Sequence, residues 1–105
     1  MTIRIAGNTY IPCFYAIKAK GYKVEVSYVK GENGEYNADW LALKNDRKFS
    51  ATTPMELLGL IAMWEVRGDN WHANDNELKE YDKVDDNAPK YYVDEEGYYQ
   101  LLKDE

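Results

Sequence analysis

The chain is predicted to fold as an α+β protein: an antiparallel sheet of three to five strands packed against one central apolar helix at about residues 53–67, with a shorter N-terminal helix and a C-terminal acidic hairpin. Three observations predict it. Thr53-Pro54-Met55-Glu56 joins a capping hydroxyl, a proline at the first helical position and a glutamate three residues after the cap, and Gly68 closes the apolar run that follows. Tyr22/Val24/Val26/Tyr28 alternate with Lys23/Glu25/Ser27 in the period of a half-buried strand. Tyr91-Tyr92-Val93 and Tyr98-Tyr99-Gln100-Leu101-Leu102 flank Asp94-Glu95-Glu96-Gly97, two short strands around a turn. The 105 residues suffice for one domain with one core.

In chain order, Ile3 to Ala6 is a short β-type run closed by a Gly7-Asn8 turn. A helix over about residues 11–20 follows, with Pro12 in its first turn, Lys18 and Lys20 near its end and Gly21 as C-cap; Tyr10 to Ile17 also fits a strand. After the alternating strand Tyr22–Val29, Gly31-Glu32-Asn33-Gly34 supplies a hairpin loop, and Tyr36–Leu43 resumes strand character around Trp40 and Leu41. Asn45-Asp46 turns the chain into Lys48–Ala51, completing a meander whose covered face needs the 53–67 helix.

That helix is apolar almost all round, which predicts burial on two sides. Residues Asp69 to Asn76 read as a polar loop, and Glu77–Val84 as a short helix with Leu78, Tyr81 and Val84 turned inward, stopped before Pro89. In the final hairpin Tyr92 is expected to face Tyr99. No repeat, low-complexity tract or linker interrupts the chain.

Charge divides the molecule. Up to residue 68 there are nine Lys/Arg and seven Asp/Glu; from residue 69 onward there are four and twelve. Such a segment repels a phosphate backbone and attracts a basic protein, so nucleic acid is disfavoured as a partner. The longest apolar stretch, Met55–Trp64, is about half the ~20 residues a membrane span requires, so no membrane partner is expected. No signal peptide is read at Met1–Ile5, and the lone Cys13 admits no internal disulfide, which together point to a cytoplasmic location.

The motifs of catalysis and metal binding fail on inspection. One Cys and one His cannot make a zinc site without carboxylates, and in the acidic stretch from Asp85 a calcium loop is spoiled by Pro89 and Lys90 where a ligand and a glycine belong. Cys13 and His72 lie in different segments with no oxyanion motif, and Gly31 to Gly34 carries acids where a phosphate cradle needs none. No metal, cofactor or catalytic residue is therefore expected, and Cys13 reads as a structural thiol.

What remains is aromatic. Of ten Tyr and three Trp, Trp71, Tyr81, Tyr91, Tyr92, Tyr98 and Tyr99 lie among the twelve acids of the last third. Tyr and Trp bury a large rigid body while keeping a polar handle, the property that enriches them at binding hot spots. The expected partner-binding set is thus Trp71, Tyr91, Tyr92, Tyr98 and Tyr99 as anchors, with Asp94, Glu95 and Glu96 as steering charges for a basic protein.

Phe49-Ser50-Ala51, Pro54, Glu56-Leu57-Leu58-Gly59-Leu60, Trp64-Glu65, Arg67-Gly68 and Asn70-Trp71 together resemble a pattern of small, mostly uncharacterised bacterial proteins, some of them similar to immunity proteins of toxin systems. The resemblance implies a cytoplasmic protein that neutralises a cognate toxin, often a basic nuclease, by covering its active surface with acidic and aromatic groups. It transfers no individual residue. Two other readings stay open: a homodimer in which Leu60 and Met63 meet a symmetry mate, and an enzyme of unrecognised type using carboxylates and His72.

Overall fold

Residues 1–102 are described by the computed structural model, in which the chain divides into two compact units, Met1–Trp71 and the segment from His72 onward. Among the described residues the fold is α+β, with three α-helices, a three-stranded antiparallel sheet and a separate two-stranded sheet. None of the helices is long and apolar enough to cross a membrane.

In the first unit the helix ends follow the chemistry of their terminal residues. A 3-10 turn at Gly7–Thr9 leads directly into α1 (Tyr10–Ala19), so the helical reading of this stretch prevails over the strand. Gly21, at φ +93°, ends it by donating its N–H to the Lys18 carbonyl at 2.9 Å, a left-handed conformation that costs glycine little. The β-type run Ile3–Ala6 forms no strand: residues 1–6 belong to no regular element, because alternation alone makes a strand only where a neighbouring strand accepts it.

Three strands follow as a meander: β1 (Lys23–Lys30), β2 (Tyr36–Lys44) and β3 (Arg47–Ala51), ordered β1-β2-β3. The register pairs Val24 with Ala42 and Ala42 with Phe49, and Val26 with Trp40 and Trp40 with Ala51. Because side chains alternate, these residues share one face, and Glu25, Leu41 and Ser50 share the other. The β1–β2 loop is three residues long, Glu32-Asn33-Gly34, with Gly31 N–H donating to the Glu35 carbonyl at 2.8 Å and Gly34 at φ +82°.

Helix α2 (Pro54–Arg67) has the ends the sequence predicts. Thr53 accepts the Glu56 N–H at 3.1 Å, Pro54 opens the first turn, and Gly68 donates to the Trp64 carbonyl at 2.7 Å. With α1 it covers the Val24/Ala42/Phe49 face of the sheet. Ile17, Tyr22, Ala42, Leu57 and Ile61 form the buried core, with Val24, Trp40, Phe49, Ala51 and Leu58 packed around it. Complete burial of an Ile or Leu side chain is worth about 1.5–3 kcal/mol, so Ile17, Leu57 and Ile61 are the principal apolar contributors.

Within the first unit, the sheet and α1 cover one side of α2. Only Pro54, Leu57 and Ile61 are buried along it; Gly59 and Ala62 are exposed and Val66 is 87% exposed. Leu57 and Ile61 define the fully buried stripe, Leu58 packs beside it, and Leu60, Met63 and Trp64 are half-buried.

In the second unit α3 runs over Asp75–Asp86, longer than the 77–84 predicted. Asn74 accepts the Glu77 N–H at 2.9 Å and Glu77 Oε1 accepts the Asn74 N–H at 3.0 Å, a reciprocal capping box that starts the helix two residues early. Leu78, Tyr81 and Val84 are exposed, contrary to the expected inward stripe. Strands β4 (Tyr91–Val93) and β5 (Tyr99–Leu101) form the two-stranded sheet. The meander has the smallest number of strands in the predicted range of three to five, and the C-terminal hairpin forms a two-stranded sheet of its own.

Candidate functional site

The structure brings Tyr91, Tyr92, Tyr98, Tyr99, Asp94, Glu95 and Glu96 together on the β4–β5 hairpin. Its register differs from the predicted one by a single residue. Tyr91 pairs with Leu101, Tyr92 with Gln100 and Val93 with Tyr99, so Tyr92 does not face Tyr99. The cause is the loop. Asp94 N–H donates to the Tyr98 carbonyl at 2.9 Å and Gly97, at φ +88°, donates to the Asp94 carbonyl at 3.0 Å; the loop is therefore Glu95-Glu96-Gly97, three residues with glycine in the left-handed position. A one-residue change of register moves side chains to the opposite face. The aromatics consequently divide into Tyr91 and Tyr99 with Val93 and Leu101 on one face, and Tyr92 with Gln100 on the other. All four tyrosines are more than half exposed.

The three acids are not equivalent. Asp94 Oδ1 accepts the N–H groups of Glu96 at 3.0 Å and Tyr98 at 2.9 Å, and Oδ2 accepts the Gln100 side-chain amide at 2.9 Å. The Tyr98 N–H first, then the Gln100 amide, hold its carboxyl below the ordinary 3.8 against an opposing desolvation. Asp94 is thereby a turn-forming carboxylate. Glu95 and Glu96, exposed in the loop itself, carry the charge at the tip.

Trp71 belongs to the other unit. It lies after α2, where its carbonyl accepts Arg67 Nε at 2.8 Å, and its ring lines a cleft of about 260 Å³ with Phe49, Leu60, Met63 and Trp64. Leu60 and Met63, the residues expected to meet a symmetry mate, are half-buried in this cleft. Beside it Arg47, Trp64 and Asp69 form a cluster that sequence reasoning missed. The Arg47 guanidinium lies 4.0 Å from the Trp64 ring centroid and its Nη1 is 2.7 Å from Asp69 Oδ1, which also accepts the Trp64 indole N–H at 2.8 Å. The indole bond first, and then Arg47, lower the Asp69 carboxyl below its ordinary 3.8. Arg47 and Asp69 are too far apart in sequence for any local pattern to pair them. Asp69, counted with the acidic last third, is a structural partner of the first unit.

Two further concavities lie in the first unit. Tyr10, Ile11, Phe14, Tyr15, Trp40 and Pro54 line an apolar groove of about 360 Å³, and Tyr22, Lys44, Asn45, Asp46, Arg47 and Trp64 line one of about 320 Å³. Lys44 Nζ sits 5.3 Å over the Tyr22 ring and donates to the Lys20 carbonyl at 2.8 Å, so this cation is already engaged by the fold. Cys13 is half-buried on α1, and His72 opens the second unit. Among the described residues no three His, Cys, Asp or Glu side chains gather closely enough to hold a metal ion.

The chain matches no protein-family model, and no curated protein or solved structure is significantly similar to it.

Proposed function

We propose that this is a non-enzymatic protein-binding module, acting as an immunity-type inhibitor that captures a basic toxin on its acidic, tyrosine-bearing hairpin. The observation that carries the proposal is the exposure of Tyr91, Tyr92, Tyr98 and Tyr99 on a hairpin whose tip bears Glu95 and Glu96. Tyrosines outside a core offer rigid contact area with a polar end, and carboxylates at their side favour a cationic partner by steering its approach. Asp94 acts by holding the loop, so the steering role rests on Glu95 and Glu96. Trp71 serves the same function only if the partner also reaches the first unit.

The test is a pull-down from the native host with the intact chain and with a Glu95→Lys/Glu96→Lys/Tyr99→Ala variant, at low and at high salt. A basic protein retained by the intact chain, and released by both the variant and the salt, supports the reading. Retention indifferent to both overturns it.

A further inference from the structure

Two features of the first unit are each incomplete. One is the β1 edge of the sheet. β1 is an outer strand of eight residues, with no proline and no bulge in its pairing to β2. The bond from Gly31 N–H to the Glu35 carbonyl makes that pair hydrogen-bonded, and by the alternation of an antiparallel ladder Val29, Ser27, Glu25 and Lys23 also direct their backbone groups to β2. Val24, Val26, Tyr28 and Lys30 therefore direct theirs outward, away from the sheet. Cover also fades along this strand: Tyr22 is buried and Val24 half-buried, but Val26 is 44% exposed and Tyr28 66%, although both lie on the helix-bearing face. Long apolar edges are templates for another strand.

The other feature is residues 1–5. They alternate like a strand and belong to no element, and Ile3 and Ile5 are 79% and 72% exposed.

We infer that residues 1–5 of a second copy of this chain add to the outer edge of β1 as a fourth, antiparallel strand, each copy supplying its segment to the other. One register matches the two at every position: Met1 opposite Tyr28, Thr2 opposite Ser27, Ile3 opposite Val26, Arg4 opposite Glu25 and Ile5 opposite Val24. Sulfur meets an aromatic ring, hydroxyl meets hydroxyl, and branched aliphatics meet on the face that α1 and α2 leave partly bare. On the other face Arg4 meets Glu25. That position is a non-hydrogen-bonded pair, where side chains of opposed strands lie closest. Glu25 is already 3.1 Å from Lys23 on its own strand, and both are well exposed, so Arg4 joins an existing surface pair.

The direction of the pairing selects a second copy. Phe14 of α1 contacts Trp40, at the level of Val26, and Lys20 at the other end of α1 receives Lys44, which lies near Tyr22. The chain thus enters α1 from the Val26–Tyr28 end of β1. Antiparallel addition brings residues 5 and 6 to the Lys23 end instead, which suits a segment arriving from outside. Mutual exchange closes about a two-fold axis and occupies both edges at once.

Sedimentation of the intact chain across a concentration series tests this. A species of twice 12.2 kDa is expected at high concentration, with slowed hydrogen exchange at the Val24, Val26 and Tyr28 amides; deletion of residues 1–5 should abolish both. Arg4→Glu and Glu25→Arg should each weaken dimerisation roughly tenfold, since two pairs per dimer become like-charged. An equimolar mixture of the two variants should recover it, because each mixed dimer restores opposite charges at both sites. That recovery also shows that both variants fold. A chain that stays monomeric, with or without protected β1 amides, overturns the inference. So does a dimer that survives the deletion, or a failure of the mixture to recover.

Discussion

In the unit Met1–Trp71 the side chains that meet in the core come from α1, β2 and α2, residues as far apart in sequence as Ile17 and Ile61. In the unit that begins at His72 no described residue is buried, and its helix cap and hairpin turn are shaped by short-range bonds: Asn74 with Glu77, and Asp94 with Glu96, Tyr98 and Gln100. The first is held by exclusion of water from a shared interior, the second by the satisfaction of backbone groups near helix and turn ends. The difference explains where exposed aromatic surface is concentrated. Side chains not committed to a core keep their apolar area available, and Tyr81, Tyr91, Tyr92, Tyr98 and Tyr99 of the second unit are in that state.

The contrast is broken most directly at Leu57. Leu57→Ala should cost the first unit about 2–5 kcal/mol, the range for truncating a fully buried leucine. Trp40, Trp64 and Trp71 all lie in that unit, so denaturant unfolding followed by tryptophan fluorescence reads it. A loss below about 1 kcal/mol would mean that burial does not hold this unit.

A smaller effect is expected at Asn74. Asn74→Ala removes the side-chain oxygen that accepts the Glu77 N–H and leaves the Asn74 N–H to Glu77 in place, at a cost of about 0.5–2 kcal/mol to α3. Amide exchange over Leu78–Val84 should quicken accordingly, and unchanged exchange would show that the helix does not depend on its cap.

The smallest effect is on acidification. Asp69 and Asp94 both have carboxyls lowered from 3.8, so in each the ionised form is favoured by the fold. Their contribution is present above the unfolded value and is lost as pH falls below 3.8 through the lowered one. Both groups are exposed, which keeps the effect small. Protection of the Glu96 and Tyr98 amides should decline in that window, and Asp94→Asn should remove the pH dependence.

What was legible in the sequence follows the same division. Thr53, Pro54, Glu56 and Gly68 announced α2 because capping depends on nearest neighbours, and the alternation of β1 announced the face that Val24 shares with Ala42. The strand count of the main sheet was legible only as a range of three to five, since pairing between distant strands leaves no mark on either one. Asn74-x-x-Glu77 carried a readable cap, but Asn70, Asn74, Asp75 and Asn76 together gave it the composition of a loop. Burial within the first unit varies along α2 although most of its side chains are apolar, because an aliphatic side chain records what it tolerates, and not what it touches: Val66 is apolar and largely bare in that unit. For the candidate site, residue types were legible, whereas the role of Asp94 needed the positions of three donors.

The Glu95-Glu96-Gly97 loop sets more than the shape of a tip. Its length fixes the phase of the strand that follows, and phase decides which tyrosine travels with which: Tyr91 with Tyr99, Tyr92 with Gln100. One inserted residue in this loop would reshuffle those partnerships without altering any tyrosine. Variation by insertion here is a way to rearrange the exposed faces of the hairpin while its aromatic content stays constant.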